Sequence, residues 1–332
     1  MKTVDPVKPS TSHRWLSGIA VGVVLAAAVG TVTWGLRGDP QPLGNPQHLG
    51  EVLPEGPAVM LPAPADTAAE CAAPALTATP SPTPTASVGA QPAVGADASA
   101  WLRTTASTLA AARSDDETGR YAHTRRLGWY TDMYVGSDGI GRTEVRLQGS
   151  EGWYGDDGSA TVTTITYQPG TTRPAPDQVR ATAREHAFAG DHHTLFAGPP
   201  SADARQLCGQ LAQSQSPEVG PQWVMRAIAG LATEYHLPRP VRAALLRVLS
   251  TTAPRWDGPV TDRTGRSGVA VSIDPDSLEH DTLILDPATG AVLAYHEVQL
   301  ANPGKLTGPF PQDRSYEAFL HNGRSDSIPP AE

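Results

Sequence analysis

Lysine is almost absent from this chain: after Lys2 and Lys8, none occurs before Lys305. The net charge is −9, and the basic residues of the long interval are arginine and histidine. Phosphate binding needs a concentrated positive surface, which an acidic chain without a lysine cluster does not offer. The composition therefore argues against a nucleic-acid partner.

Catalytic signatures with a fixed spacing are missing as well. The sequence contains no G-x-S-x-G, S-x-x-K, H-E-x-x-H, P-loop or G-x-G-x-x-G motif. These absences exclude the best-marked hydrolase and nucleotide-binding classes, but they leave open an enzyme whose catalytic residues are dispersed. We therefore predict no cofactor and no metal, and we favour a non-catalytic protein over an enzyme.

Cysteine occurs only twice, as Cys71 and Cys208. Two cysteines so far apart do not have the spacing of a zinc site. If both lie outside the cytoplasm, a disulfide between them would persist there. The sequence alone leaves open whether they are bridged.

The longest uncharged apolar run is Trp15–Leu36, "WLSGIAVGVVLAAAVGTVTWGL". As a helix it spans a hydrocarbon core of roughly 30 Å, with a tryptophan near each end. Basic residues are denser before the run than after it, so we predict a cytoplasmic stub at 1–14, a transmembrane helix at 15–36 and an extracytoplasmic remainder. A cleaved signal peptide is the alternative, although its apolar region would be shorter, roughly 7–15 residues.

Residues 37–97 are rich in proline, alanine and threonine and show no helix or strand period. Such a composition is typical of an extended linker without a core.

The rest of the chain divides into segments in which apolar residues recur at a regular spacing. Apolar residues at helical spacing predict helices, and alternating or β-branched runs predict strands. The expected helices are 99–112, 177–189, 201–212, 222–235 and 238–250, and the expected strands lie mainly in 121–167 and 267–299. We therefore predict an α+β domain over 98–301, with a curved antiparallel sheet packed by helices, followed by a flexible Gly/Pro-rich tail at 302–332.

Four local clusters are candidates for chemistry, and each has a plainer interpretation. "DHH" at 191–193, with His186 nearby, could bind a metal, but its spacing fits surface histidines better. "DPDSLEHD" at 274–281 is acidic, yet it lacks the glycine and glutamate of a calcium-binding EF-hand loop, so a solvated turn is favoured.

The third cluster is aromatic and could line an apolar pocket or belong to the core, with core favoured; its members are Trp129, Tyr130, Tyr134, Trp153 and Tyr154. The fourth is "DPATG" at 286–290. Asp286 before a proline, with Gly290 able to take a positive φ, predicts a hairpin turn in preference to a reactive carboxylate.

Several of these stretches resemble a known family: "RYAHTRRLGWYT", "LPRPVRAALLRVLS", "GPVTDRTGRSGVAVSID" and "LILDPATGAVLAY". They are similar to a group of uncharacterised single-pass actinobacterial membrane proteins, often encoded beside extracytoplasmic-function sigma factors. The resemblance covers residues 98–300 and the membrane span, and it implies no catalytic residue. The order of helices and strands is also similar, at fold level only, to the lipoprotein-carrier and envelope-stress-regulator fold.

The leading hypothesis is a membrane-anchored extracytoplasmic domain that binds a lipid, a lipidated peptide or an envelope protein without catalysis, in envelope signalling or maintenance. A cell-wall hydrolase with dispersed catalytic residues is one alternative, and a regulator of a sigma/anti-sigma system is another. The sequence assigns no catalytic, cofactor-binding or metal-binding residue and does not identify the ligand-binding residues.

Overall fold

The computed structural model describes residues 71, 91–115, 117–135, 141–192, 194–195, 198–274, 278–302 and 309–330. The expected stub at 1–14, the expected span at 15–36 and most of the expected linker at 37–97 lie outside the described residues. Within the described ranges, no helix combines the length and apolar character needed to cross a membrane.

The described residues form an α+β domain with four helices and nine strands. The helices are α1 Ser99–Ala111, α2 Ala204–Ser214, α3 Trp223–Glu234 and α4 Arg239–Leu249. The strands are β1 Tyr121–Val135, β2 Gly141–Gly155, β3 Ala160–Tyr167, β4 Val179–Ala187, β5 Arg255–Thr261, β6 Ser267–Ile273, β7 Glu279–Leu285, β8 Val292–Gln299 and β9 Gln312–Ser325.

All nine strands belong to one antiparallel sheet in the order β4-β3-β2-β1-β9-β8-β7-β6-β5. Two meanders, β1–β4 and β5–β8, therefore flank β9, the last strand in the chain. The α+β class and the helices α1 to α4 confirm the sequence prediction.

The helices pack on one face of the sheet, mainly over β5–β9, and α3 also contacts β1 and β2. Buried residues of all four helices form one apolar cluster with strand side chains such as Trp256, Val271, Leu283 and Phe319. A smaller cluster, which includes Leu147, lies on other positions of β1, β2 and β6–β9. Burial of this much apolar surface is the main favourable term in folding.

The structure corrects the helix expected at 177–189. Val179–Ala187 is strand β4, paired with β3 from Ala160 to Tyr167. The alanine, arginine and glutamate residues of this stretch suit a helix locally, but pairing along β3 satisfies the backbone and overrides that preference.

The structure also corrects the flexible tail expected at 302–332. Gln312–Ser325 is strand β9, and it pairs with β1 on one side and β8 on the other. Ala318 and Phe319 are 0% and 4% exposed, so this strand lies inside the core. The Gly/Pro-rich residues before it connect β8 to β9.

Cys71 and Cys208 form a disulfide with Cα atoms 5.6 Å apart. Both residues are buried, and Cys208 belongs to α2. The bond therefore fixes a residue of the expected linker against the helical layer.

Candidate ligand cavity

A cavity of about 370 Å³ lies where the C-terminal end of α3 meets the β2–β3 turn and the end of β9. It is lined by Ala122, Tyr154, Gly155, Asp156, Gly158, Thr194, Gly198, Pro199, Pro200, Glu234, Tyr235, His236, Pro238, Val241 and Arg324. The lining is mixed: apolar and small residues surround a few polar side chains, as in many binding sites for small ligands.

One wall is the chain between α3 and α4. Helix α3 ends at Glu234, and Asn322 of β9 holds the segment that follows. The Asn322 side-chain nitrogen donates to the Tyr235 carbonyl at 2.7 Å, and its side-chain oxygen accepts from the Leu237 N–H at 2.8 Å. This bidentate contact sets the distance between the helix end and the sheet.

The opposite wall is the β2–β3 turn together with the loop after β4. Gly158 has a φ of +75°, and a Cβ there would lie 3.0 Å from the Gly190 nitrogen. The Gly190 N–H donates to the Asp157 carbonyl and the His192 N–H donates to the Gly158 carbonyl, both at 2.9 Å. Glycine at position 158 thus permits the close approach that shapes this wall.

Glu234 is the central polar group of the cavity. Its side chain is 14% exposed, and its Oε2 accepts from the Leu195 N–H at 3.3 Å and lies 4.0 Å from His192 Nε2. Burial raises the pKa of Glu234 to about 7, although the Leu195 N–H and the positive charge of Arg126 oppose the rise. The carboxyl group therefore changes charge near neutral pH.

Tyr154 of β2 places an aromatic ring in the same cavity. Gly152 leaves room for that ring, since a Cβ at 152 would lie 2.5 Å from it. The ring centroids of Tyr154 and His192 are 5.3 Å apart. Burial raises the pKa of Tyr154 to about 12, so its hydroxyl stays protonated.

An ion pair lies near the cavity on the same face of the sheet. Arg126 Nη1 donates to Glu317 Oε2 at 2.9 Å, and the Tyr130 hydroxyl donates to the other Glu317 oxygen at 3.1 Å. The Arg126 and Glu317 side chains are 13% and 6% exposed. Arg126 also acts on Glu234 as a neighbouring positive charge.

Arg324 and Asp156 form a second, more exposed pair among the lining residues. The guanidinium donates to both carboxylate oxygens, at 3.2 and 3.3 Å. The Asp156 side chain is 74% exposed, so the pair contributes little to stability. The positive charge of Arg324, which lines the cavity, is nevertheless balanced by Asp156.

The predicted aromatic cluster is divided between core and cavity. Trp129 and Trp153 are 7% and 4% exposed and belong to the core. Tyr130 lies in the Glu317 network and Tyr154 lines the cavity. The side chain of Tyr134 lies outside the described residues. The cluster is therefore mainly core, with one member at the site.

The histidines near "DHH" are not brought together. His186 is on β4, where its Nδ1 lies 2.8 Å from Thr161 Oγ1, and His192 lies beside Glu234. His193 lies outside the described residues. Within the described ranges, no cluster of three or more His, Cys, Asp or Glu side chains could hold a metal ion.

The acidic stretch at 274–281 contains one deeply buried residue, which differs from the solvated turn expected there. Asp281 is 0% exposed; its Oδ2 accepts from Arg226 Nε of α3 and from the Tyr295 hydroxyl, both at 3.0 Å. Burial raises the pKa of Asp281 to about 6 while Arg226 opposes the rise. These contacts join α3 to β7 and β8.

Asp286 lies in a hairpin turn, as the sequence predicts. Its Oδ1 accepts from the Ala288 and Thr289 N–H groups at 2.8 and 3.3 Å, and its own N–H donates to the Ala291 carbonyl at 2.9 Å. Gly290 has a φ of +65°. The carboxylate therefore stabilises the turn between β7 and β8.

Sequence reasoning missed most of the polar residues that line the cavity, among them Glu234, His236, Asp156 and Arg324. Glu234 follows a helical pattern without a motif, Asp156 is in a turn, and Arg324 is in the segment expected to be a tail. Only the distant pairing of β9 with β1 brings them to one place.

Comparisons with known proteins give only distant matches. No protein-family profile matches the sequence, and no curated protein sequence matches it. Solved structures of MucB in complex with MucA(peri) and of MucB match with 15% and 14% identity and a TM-score of 0.27 each, over 71% and 70% of this chain. A MucA/MucB complex of Pseudomonas aeruginosa matches with 15% identity and a TM-score of 0.23, over 69% of this chain. The chain spans about three-fifths of those chains, with coverages of 58%, 61% and 58%.

Proposed function

We propose that this protein is a non-catalytic binding domain, tethered outside the cell membrane, that holds a segment of another envelope protein in the cavity around Glu234. The observation that carries the proposal is the cavity itself. Its volume of about 370 Å³ suits one side chain or a short peptide segment, and its lining combines apolar walls with a few polar groups.

A polypeptide fits the cavity better than an acyl chain does. The buried carboxyl group of Glu234, which accepts a hydrogen bond from the Leu195 N–H, would face hydrocarbon on its cavity side, and an ionised carboxylate there is costly. The alternative place for a lipid, the apolar face of β5–β9, is filled by side chains of the four helices.

An exposed sheet edge also favours a polypeptide partner. Strand β4 is one of the two edge strands of the sheet, and most of its residues are exposed. Such an edge presents unpaired backbone N–H and C=O groups to which an extended segment can add. The chain leaving this strand packs against the β2–β3 turn that borders the cavity.

The membrane tether and the role in envelope signalling rest on the sequence. The uncharged run Trp15–Leu36 supports the anchor, and the distribution of basic residues supports the extracytoplasmic position of the domain. The resemblance to proteins encoded beside sigma factors supports a regulatory role.

A peptide array tests the binding function. The full chain in detergent micelles is applied to overlapping peptides from extracytoplasmic proteins, and a Thr194→Trp variant fills the cavity. Thr143→Trp, on an exposed position of β2, is the matched control. We expect defined peptides to be retained by the wild type and the control and to lose about tenfold or more of their binding in Thr194→Trp, since the added ring occupies their site.

Two results would overturn the proposal. One is peptide retention that Thr194→Trp leaves unchanged. The other is a phospholipid or lipopeptide that co-purifies in stoichiometric amount and is released by Thr194→Trp, because the cavity would then hold a lipid.

The raised pKa of Glu234 makes hydrolysis a second candidate function. A carboxyl group with a pKa of about 7 is suited to act as a general acid or base near neutral pH. A hydrolase with dispersed residues predicts a histidine within about 3 Å of the carboxylate, and the observed separation is 4.0 Å. Release of soluble fragments from purified peptidoglycan by the wild type, and its loss in Glu234→Gln, would favour this function.

A regulator of a sigma/anti-sigma system is the third possibility. It requires contact with a partner that reaches the membrane. Affinity purification of the intact chain, compared with a chain lacking residues 1–36, tests it. A sigma or anti-sigma protein retained only by the intact chain would favour it.

A further inference from the structure

We infer that the group held in this cavity is cationic, the ammonium of a lysine or the guanidinium of an arginine, and that the Glu234 carboxylate is its counter-ion. This inference rests on the proposed binding function and names the chemistry of the bound segment. The inference rests on geometry: the largely buried carboxyl group of Glu234 lines the cavity, and no arginine or lysine of the described residues forms an ion pair with it.

Among the described residues, the ion-pair neighbour of Glu234 is a histidine, His192, whose Nε2 lies 4.0 Å from the carboxylate. Within the described part of the chain, no arginine or lysine lies within ion-pair distance of this carboxylate. The two arginines of this region have other acids as partners, since Arg126 pairs with Glu317 and Arg324 pairs with Asp156. A buried carboxylate without a paired cation is costly, and a bound ammonium or guanidinium would offset that cost.

The backbone around Glu234 also favours a positive charge. Glu234 is the last residue of α3, and the C-terminal end of a helix carries partial negative charge. The last turn of α3 contains no basic residue that would use this field. A cation in the cavity would therefore meet both the carboxylate and the negative helix end.

The remaining groups around Glu234 are compatible with a cation. Tyr154 contributes an uncharged hydroxyl and an aromatic ring, whose face attracts cations. His192 lies 4.0 Å from the carboxylate, and its protonation at low pH would oppose the binding of a second cation. Arg126 on β1 opposes it at every pH, but its charge is balanced by Glu317. Asp156 and Arg324 on the rim neutralise each other.

Ligand-detected NMR with three small probes tests the inference on the full chain in detergent micelles. The probes are Nα-acetyl-lysine methylamide, Nα-acetyl-arginine methylamide and the uncharged Nα-acetyl-norleucine methylamide. Since Glu234 titrates near pH 7, its ionised fraction rises about 30-fold between about pH 5.5 and pH 8. We therefore expect the two cationic probes to bind roughly 10- to 30-fold more tightly at the higher pH, and the norleucine probe to change little.

Two substitutions locate the effect. Glu234→Gln keeps the size of the side chain and removes the charge, so it should abolish the preference for cationic probes. Glu185→Gln, on an exposed position of β4, is the matched control and should preserve the preference. Thr194→Trp should block all three probes.

The outcomes separate this inference from the proposed function. If the norleucine probe binds as tightly as the cationic probes at pH 8 and Thr194→Trp blocks both, the cation inference is wrong while binding in the cavity stands. A cation preference that survives in Glu234→Gln also overturns the inference. If no probe binds, or if Thr194→Trp changes nothing, the cavity is not the binding site and both proposals fail.

Discussion

Replacing Glu234 by glutamine should stabilise the protein at alkaline pH and leave its stability almost unchanged at acid pH. The folded domain raises the pKa of this carboxyl group from 4.5 to about 7, mainly by burial. Below pH 4.5 the group is protonated in both the folded and the unfolded state, so it has no effect. Between pH 4.5 and 7 only the unfolded chain ionises it, and the folded state becomes progressively less stable relative to the unfolded state.

The size of the effect follows from the pKa difference. Raising the pKa of a carboxyl group from 4.5 to about 7 corresponds to about 3 kcal/mol, which is fully developed only well above pH 7, at about pH 8. Glutamine can still accept from the Leu195 N–H through its side-chain carbonyl, so the substitution removes mainly the charge. For a domain of this size, that free energy corresponds to an increase in Tm of roughly 6–12 °C.

Thermal unfolding of the full chain in detergent micelles, followed by tryptophan fluorescence at about pH 4 and pH 8, measures the difference. Glu185→Gln, which replaces an exposed carboxylate, is the control and should leave Tm nearly unchanged at both pH values. An equal gain in Tm at both pH values would show that ionisation is not the cause. A lower Tm for Glu234→Gln at pH 8 would show that the ionised carboxylate is stabilised by contacts in the native state, and it would refute the reasoning.

Three further predictions concern stability and are tested by the same melts. Gly290→Ala should lower the free energy of unfolding by more than about 1 kcal/mol, because the backbone there has a φ of +65° and the added Cβ would overlap the buried side chain of Leu109 in α1. Gly265→Ala, with a φ of +90° and open space around the added Cβ, should cost less. Replacing Cys71 and Cys208 by serine should destabilise the domain by about 2–5 kcal/mol, and adding reductant to the wild type should reproduce the loss. Arg226→Met should lower the free energy of unfolding by about 3–5 kcal/mol, because it leaves the buried carboxylate of Asp281 without its cation. The double variant Arg226→Met, Asp281→Asn should recover most of that loss. Equal Tm values for the two glycine variants, or no recovery in the double variant, would contradict the corresponding explanation.

Local patterns were sufficient for a large part of the fold. The helical spacing of Val241, Leu245 and Leu249 identifies α4, and all three residues are buried. The alternation around Val271 identifies β6, and Asp286 and Gly290 identify the turn between β7 and β8. These features depend on residues that are near one another in the chain, so the sequence displays them directly.

The failures concern segments whose structure depends on distant partners. Strand β4 has a helix-like composition and is a strand because β3 supplies its hydrogen bonds. Strand β9 follows a Gly/Pro-rich connection and is nevertheless near the middle of the sheet, because β1 and β8 leave a position between them.

The sequence by itself determined the four helices, most of the strands, the class of the domain and the acidic, lysine-poor character of the chain, because these depend on composition and short-range spacing. The cavity depended on tertiary structure alone. Glu234, Tyr154 and Arg324 come from α3, β2 and β9, and no pattern in the sequence links them. They meet because the sheet orders its strands by long-range pairing, and that pairing also buries Glu234 deeply enough to raise its pKa.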